Sequence, residues 1–308
     1  MFKVLRYNLR RWSVLLLMCS FAGSTGAQEM EPRVYSNAPI GMNFLLLGYG
    51  HSDGALLFDS SIPIQGASAV VDIAVMAYAH SFDFQGKSAR FGIVMPYAGL
   101  DANGFLDGAY RERNVSGFAD PTFVFSVNFS GAPALTLDEF QTYTQDTIVG
   151  ATIKITAPLG QYDEEKLLNI GTNRWTFKPE LGISQAMGDW IVEGAAAIAF
   201  YTDNTESFAG QKLEQAPIYS AQGHVVYKFS RGLWAAADAT YYTGGTSTVN
   251  GIENDNELDN WRFGLTLAIT VNKYNAIKLA ANTGVSTRTG TDFDAYLLAW
   301  QYRWGGGL

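Results

Sequence analysis

Apolar and polar residues alternate along much of this chain with a period of two, the signature of a strand whose faces meet different surroundings. In WRFGLTLAITV (261–271), Trp261, Phe263, Leu265, Leu267, Ile269 and Val271 fall on one face. Arg262, Gly264, Thr266, Ala268 and Thr270 fall on the other. The closing stretch AYLLAWQYRW (295–304) does the same with Tyr296, Leu298, Trp300, Tyr302 and Trp304. Related patterns recur near 122–129, 149–156, 174–184, 219–229 and 275–286. The stretches near 42–51, 68–83 and 190–202 are apolar on both faces, so alternation alone leaves their facing open.

The pattern predicts twelve strands, near 41–51, 68–83, 87–100, 118–130, 147–158, 173–187, 189–202, 215–230, 232–244, 258–272, 275–287 and 293–304. Several approach the length a tilted strand needs to cross a bilayer. The connections alternate between long and short, as in barrels with extended outer loops and tight periplasmic turns, and an even count puts both ends of the barrel on the periplasmic side. One connection, 130–146, is long where a short turn is expected. Leu135, Leu137, Phe140 and Tyr143 suit either a short surface helix or an irregular loop.

The start of the chain changes the compartment. Lys3, Arg6, Arg10 and Arg11 precede the apolar stretch 14–22, and small residues follow up to Ala27. This reads as a secretory signal over 1–27, then a short periplasmic segment over 28–40 and a barrel over 41–308. Cys19, the only cysteine, falls inside the signal, so no disulfide is expected in the mature chain. Losing the four basic residues takes the formal net charge from −8 to −12. An acidic chain is a poor partner for nucleic acid. Charged residues make up only 16% of the sequence and aromatics 14%. With no apolar run near 18 residues after the signal, a closed barrel is the membrane-spanning form left. The expected class is therefore all-β, a transmembrane antiparallel barrel of the outer membrane.

Particular words add to the periodicity. KITAPLGQYDEEKLLNIGTNRWTFKPELGIS (154–184) resembles the family named for the meta-pathway of phenol degradation. Pro158, Gly160, Tyr162, Asp163, Asn169, Gly171, Asn173, Arg174, Trp175, Lys178 and Pro179 carry the likeness. FQGKSARFGIVMPYAGL (84–100) and SGFADPTFVFSVNFSGAPAL (116–135) extend it, with Ala119 where the family has the second glycine of Gly-x-Gly-Asp. The resemblance implies an outer-membrane transporter built on a barrel.

Inside such a barrel the polar alternates face the lumen, because a charge on the lipid face near the midplane costs about 2–4 kcal/mol. The expected lining comprises Arg90, Lys154, Arg174, Lys178, His224, Arg262, Lys278 and Arg303, with Glu180, Glu193, Asp120 and Asp238 of opposite sign. Trp234 and Tyr242 also fall on the inward side, and so, on this reading, do Tyr49, Met76 and Tyr78. These groups could filter a solute or simply hold the barrel together by ion pairs. Twelve strands lie between the filled interior of eight and the open channel of sixteen.

The expected function is passive uptake of small hydrophobic or aromatic compounds; the rival is a structural or adhesive barrel with a plugged lumen. A barrel lipase would need a Ser–His pair. His51 and His80 each adjoin a serine, but neighbours on a strand point to opposite faces, so no enzyme is expected. The acidic loop 250–260 lacks calcium-loop spacing. No metal or other cofactor is expected. The partners expected are outer-membrane lipid and lipopolysaccharide, the barrel-assembly machinery, which reads a terminal aromatic residue such as Trp304, and a small hydrophobic solute.

Overall fold

The computed structural model describes residues 30–57, 64–106 and 108–308. The signal expected over 1–27 lies outside them. The strands run β1 (Met42–Leu57), β2 (Ile64–Phe84), β3 (Lys87–Leu106), β4 (Ala109–Phe118), β5 (Thr122–Ser130), β6 (Thr147–Thr156), β7 (Thr176–Met187), β8 (Trp190–Tyr201) and β9 (Asn204–Ser207). They continue as β10 (Gln211–Gln215), β11 (Ile218–Ser230), β12 (Leu233–Gly244), β13 (Ser247–Val249), β14 (Ile252–Glu253), β15 (Leu258–Thr270), β16 (Asn275–Thr287) and β17 (Gly290–Gly305). One helical turn, α1 (Leu137–Phe140), lies between β5 and β6.

Every wall pairing is antiparallel, and β1 pairs with both β2 and β17, which closes the barrel. β4 and β5 share one wall position: β4 pairs with Tyr97–Leu106 of β3 and β5 with Ala89–Val94. The wall therefore has twelve positions. Between β4 and β5, Pro121 has no N–H to give to a ladder, and the strand breaks at 119–121.

The outer surface of the wall is a continuous apolar belt. Leu47, Phe91, Leu181, Val225, Leu265, Leu279 and Leu298 are all exposed, Leu265 to 66%. Water would penalise such a band, whereas lipid accommodates it. Aromatic groups bound the belt at both ends. Trp300, Tyr302 and Trp304 stack in sequence at the periplasmic end, with Tyr78 beside Trp304 at 6.2 Å. Trp190, Tyr227 and Phe229 form a second periplasmic group. At the outer end stand Tyr241, Trp261 and Phe263, and Trp175 with Phe177. Tyr and Trp suit this depth because an apolar ring carries a polar tip.

Several expectations about connections change. The described residues of the expected loops 52–67 and 101–117 are almost all strand, because β1 to β4 continue well past the barrel rim. The expected outer loops 203–214 and 245–257 contain β9, β10, β13 and β14, which form a separate small sheet over the outer mouth. The segment 130–146 contains α1 within irregular chain. Thr136 caps α1 in a capping box with Glu139, and the segment is tied to the periplasmic end through Ile40 N–H donating to Leu135 O at 2.8 Å.

Three aromatic or apolar side chains point the other way from the reading above. Tyr49 and Met76 are exposed on the belt, and Tyr78 lies against Trp304 in the periplasmic girdle of aromatics. Their strands are apolar on both faces, so the sequence offered no polar alternate to fix the direction.

Candidate functional site

The interior is organised around residues 30–40, for which the sequence suggested only a short periplasmic segment. The chain instead turns back from Gly41 and enters the lumen. Gly41 N–H donates to Ser81 O at 2.8 Å, and Asn37 Nδ2 donates to Pro133 O at 3.1 Å. Higher up, Tyr35 is 2% exposed and sits in a notch between β6 and β7. The notch exists because Gly150 and Gly182 are register partners with no side chains. A Cβ on Gly182 would lie 2.0 Å from the Tyr35 ring, and one on Gly150 2.6 Å.

Six wall strands, β3, β5, β6, β7, β8 and β12, supply partners to this segment. Tyr35 OH donates to Glu180 Oε1 at 2.8 Å, and Asn128 Nδ2 donates to Tyr35 O at 3.0 Å. Arg90 donates to the carbonyls of Val34 and Ser36. The Arg33 backbone N–H donates to Glu193, whose other oxygen accepts from Ser184 Oγ at 2.7 Å. The Arg33 guanidinium lies 5.6 Å above the Trp234 ring. At the top, Glu31 pairs with Lys154 at 2.8 Å. Lys154 holds the Glu31 carboxyl down at about 2 against the opposing effect of burial. Polar groups taken from water need such partners, or their desolvation goes uncompensated.

A second polar run crosses the opposite wall. His224 Nδ1 lies 2.7 Å from Asp238 Oδ1, and Thr266 Oγ1 donates to Asp238 Oδ2 at 2.7 Å. His224 Nε2 meets Gln222 Oε1 at 3.2 Å, and Gln222 Nε2 donates to Glu180 Oε2 at 3.1 Å. The nitrogen that would face a serine nucleophile therefore faces an amide. Arg262 donates to Asn282 Oδ1 and Phe293 O, both at 2.6 Å.

The structure thus gathers Arg90, Lys154, Glu180, Glu193 and Trp234 around the N-terminal segment, with His224 and Asp238 linked to it through Gln222. Lys178 is buried on the same inner face of β7 as Glu180. Tyr242 is fully buried in a small apolar cluster with Ala199, Ile218 and Leu258. Arg303 stands at the periplasmic rim, where its Nε donates to Lys273 O at 2.8 Å.

Arg174 lies elsewhere. It is 3% exposed within the outer cap, ahead of β7, with its guanidinium 4.5 Å from the Tyr201 ring. Burial lowers its pKa. The residues that carry the family resemblance build this cap. Asp120, at the strand break, accepts from Gly160 N–H, Thr172 N–H and Thr172 Oγ1 at 2.7–2.8 Å. Asn169 ties the turn to Asp163 and Lys166. Asn173 takes a left-handed φ of 53°, a conformation asparagine tolerates.

The lumen is not filled evenly. The N-terminal segment takes its hydrogen-bonding and ionic partners from β3 and β5 to β8, and a cavity of about 830 Å³ remains at the periplasmic end. Its walls come from β1, β11, β12 and β15 to β17, with Arg33 and Phe140 reaching in from the N-terminal segment and α1. The residues that sequence reading missed are Glu31, Arg33 and Tyr35. The available signal was the pair of inward glycines, Gly150 and Gly182.

Comparison with solved structures places the fold. An outer membrane channel from Pseudomonas putida F1 superposes with a TM-score of 0.78 at 19% identity, over 90% of this chain and 100% of that one. The β domain of the Bordetella autotransporter BrkA superposes at 0.53 with 9% identity, over 86% and 100%. A comparison with curated proteins gave no match. Closed barrels with an apolar belt between aromatic girdles are proteins of the outer membrane, and this chain is one of them. It belongs to the family described as "Putative MetA-pathway of phenol degradation", which matches residues 54–300.

Proposed function

We propose that the protein is an outer-membrane channel for passive uptake of small aromatic or hydrophobic compounds that feed catabolism. The observation that carries this reading is the cavity of about 830 Å³ left beside the N-terminal segment, open toward the periplasmic end of a closed barrel. A structural barrel has no need of such a space. The family's description supplies the chemical setting, and the Pseudomonas putida F1 relative is itself a channel. Transport in this reading follows the gradient. No catalytic role is assigned. Assembly by the barrel-assembly machinery and contact with lipopolysaccharide follow from the location.

The inner residues divide into two roles in this reading. Glu180, Glu193, Arg90 and Lys154 hold the N-terminal segment in place. Lys278, Arg303 and Trp234 border the remaining space.

A second reading has its own support. The lumen is obstructed from inside by residues 30–40 and from outside by the cap over 157–175, which suits a barrel that displays loops and passes nothing. Single-channel recording of the full chain in planar bilayers separates the two. A channel gives discrete conductance steps and faster influx of benzyl alcohol into proteoliposomes; silence at every voltage and pH sinks the channel reading.

A further inference from the structure

The periplasmic cavity has a chemistry that runs against the rest of the chain. The protein carries a formal net charge of −8, yet Arg33, Lys228, Arg231, Lys278 and Arg303 border this cavity and Asp189 is its one acidic residue. None of the five cations is ion-paired with a carboxylate among the described residues. The two carboxylates nearest Lys278 in charge are Glu31 and Asp238. Both are engaged, Glu31 with Lys154 and Asp238 with His224 and Thr266. Leu46, Trp234 and Ala299 line the same cavity and supply its apolar floor, with the Arg33 guanidinium 5.6 Å from the Trp234 ring. Its volume of about 830 Å³ falls among pockets that take ligands of drug size, about 300–1,000 Å³.

We propose that this vestibule binds small aromatic carboxylates, with the ring over the apolar floor and the carboxylate facing Lys278 and Arg303. The proposal deepens the channel reading and rests on it for the route, though the binding site can be tested without transport. Unpaired cations in a partly enclosed space favour an anion because the low local dielectric strengthens the attraction. The apolar floor selects for a ring, and the charge selects for the ionised acid over its neutral alcohol. At neutral pH an aromatic acid is ionised, so a purely apolar path would exclude it while this one admits it.

The test uses the full chain folded in detergent and three probes, benzoate, benzyl alcohol and acetate, in equilibrium dialysis. Benzoate should bind about tenfold more tightly than either of the others, the scale expected for one charge-assisted contact or one buried ring. Lys278→Gln combined with Arg303→Gln should weaken benzoate about tenfold and leave benzyl alcohol unchanged, and Lys278→Arg should retain benzoate binding. Equal binding of the three probes, or benzoate binding that survives the double substitution, overturns the proposal. The comparison of probes on the unsubstituted chain decides the matter even where a variant loses the heat-modifiable gel migration of a folded barrel. Proteoliposomes then separate the two readings. Selective benzoate binding without flux of any probe overturns the channel and keeps the site; equal flux of benzoate and benzyl alcohol without selective binding overturns the site and keeps the channel.

Discussion

Tyr35 and Glu180 join the N-terminal segment to the barrel wall, with the phenol donating to Oε1 at 2.8 Å from a notch cut by two facing glycines. The notch is specific in shape, since a methyl group on Gly182 would sit 2.0 Å from the ring. Gly182→Ala should therefore push Tyr35 out while leaving the β6–β7 ladder paired. Tyr35→Ala should loosen the same contact from the other side, leaving Glu180 one partner short at a cost of about 1–3 kcal/mol. Both variants are expected to raise single-channel conductance relative to the parent. Unchanged conductance in both would mean that ions do not pass this level of the lumen.

The top of the segment is held by charge, and its strength depends on pH. Lys154 holds the Glu31 carboxyl at about 2 while the segment is docked, against an ordinary value of 4.5. Because docking depresses this pKa, the pair's contribution is complete above about 4.5 and fades as the pH falls toward about 2. Lys178 and Lys278 also face Glu31 and act in the same direction. The side chain is still 43% exposed, so solvent screening limits the effect. Conductance should rise across that acid range in the parent. Glu31→Gln should show higher conductance at neutral pH and a flatter acid response; an acid response identical to the parent's would assign the effect to other groups.

How much of this was legible in the sequence depends on whether two faces of a strand differ chemically. β7 and β15 alternate between apolar and charged residues, and there the inward Lys178, Glu180 and Arg262 could be read directly. β1 and β2 are apolar on both faces, so Tyr49 and Met76 gave no direction, and only the closed register with β17 and β3 reveals it. The N-terminal segment was invisible for another reason. Residues 30–40 have no periodicity, and their place is set by long-range partners such as Glu180 and Glu193, about 145–160 residues away along the chain. The resemblance in 154–184 marked an important region, but its residues turn out to build the outer cap more than the lumen wall.

Neighbouring positions on β15 test the two faces. Leu265 is exposed to lipid near the middle of the strand, so Leu265→Arg should cost about 2–4 kcal/mol and reduce the heat-modifiable fraction. The alternation alone suggests that an arginine would be tolerated at Thr266, on the inner face. In the structure, however, Thr266 is 3% exposed and bonded to Asp238, and the space cannot take a guanidinium. Thr266→Arg should therefore also fail, whereas Thr266→Ser should fold normally because it keeps the hydroxyl. Urea midpoints of folding into detergent or bilayers measure all three. A well-folded Leu265→Arg protein would mean that this face does not meet lipid.

The outer cap hangs on Asp120. This carboxylate is 7% exposed and accepts three hydrogen bonds, two from backbone N–H groups and one from a hydroxyl, all on the loop 157–175. Bonds to a charged acceptor contribute about 1.5–3 kcal/mol each, and loss of the acceptor also strands buried donors. Gly160 and Gly171 let the loop approach this closely, since a Cβ at Gly160 would lie 2.8 Å from Asp120 N. Asp120→Ala should free the loop without unfolding the wall, because the β5–β6 ladder does not use the Asp120 side chain. Lys166, exposed at the loop's outer edge, gives trypsin a site to report on it. Cleavage after Lys166 should accelerate in Asp120→Ala while the barrel keeps its heat-modifiable migration, and Asp120→Asn should fall between the two because it retains one acceptor oxygen. If trypsin cuts the parent and Asp120→Ala at the same rate, the cap is held by its contacts with β9 and β10 instead, beginning with the Asn204 bond to Tyr162 OH at 2.9 Å.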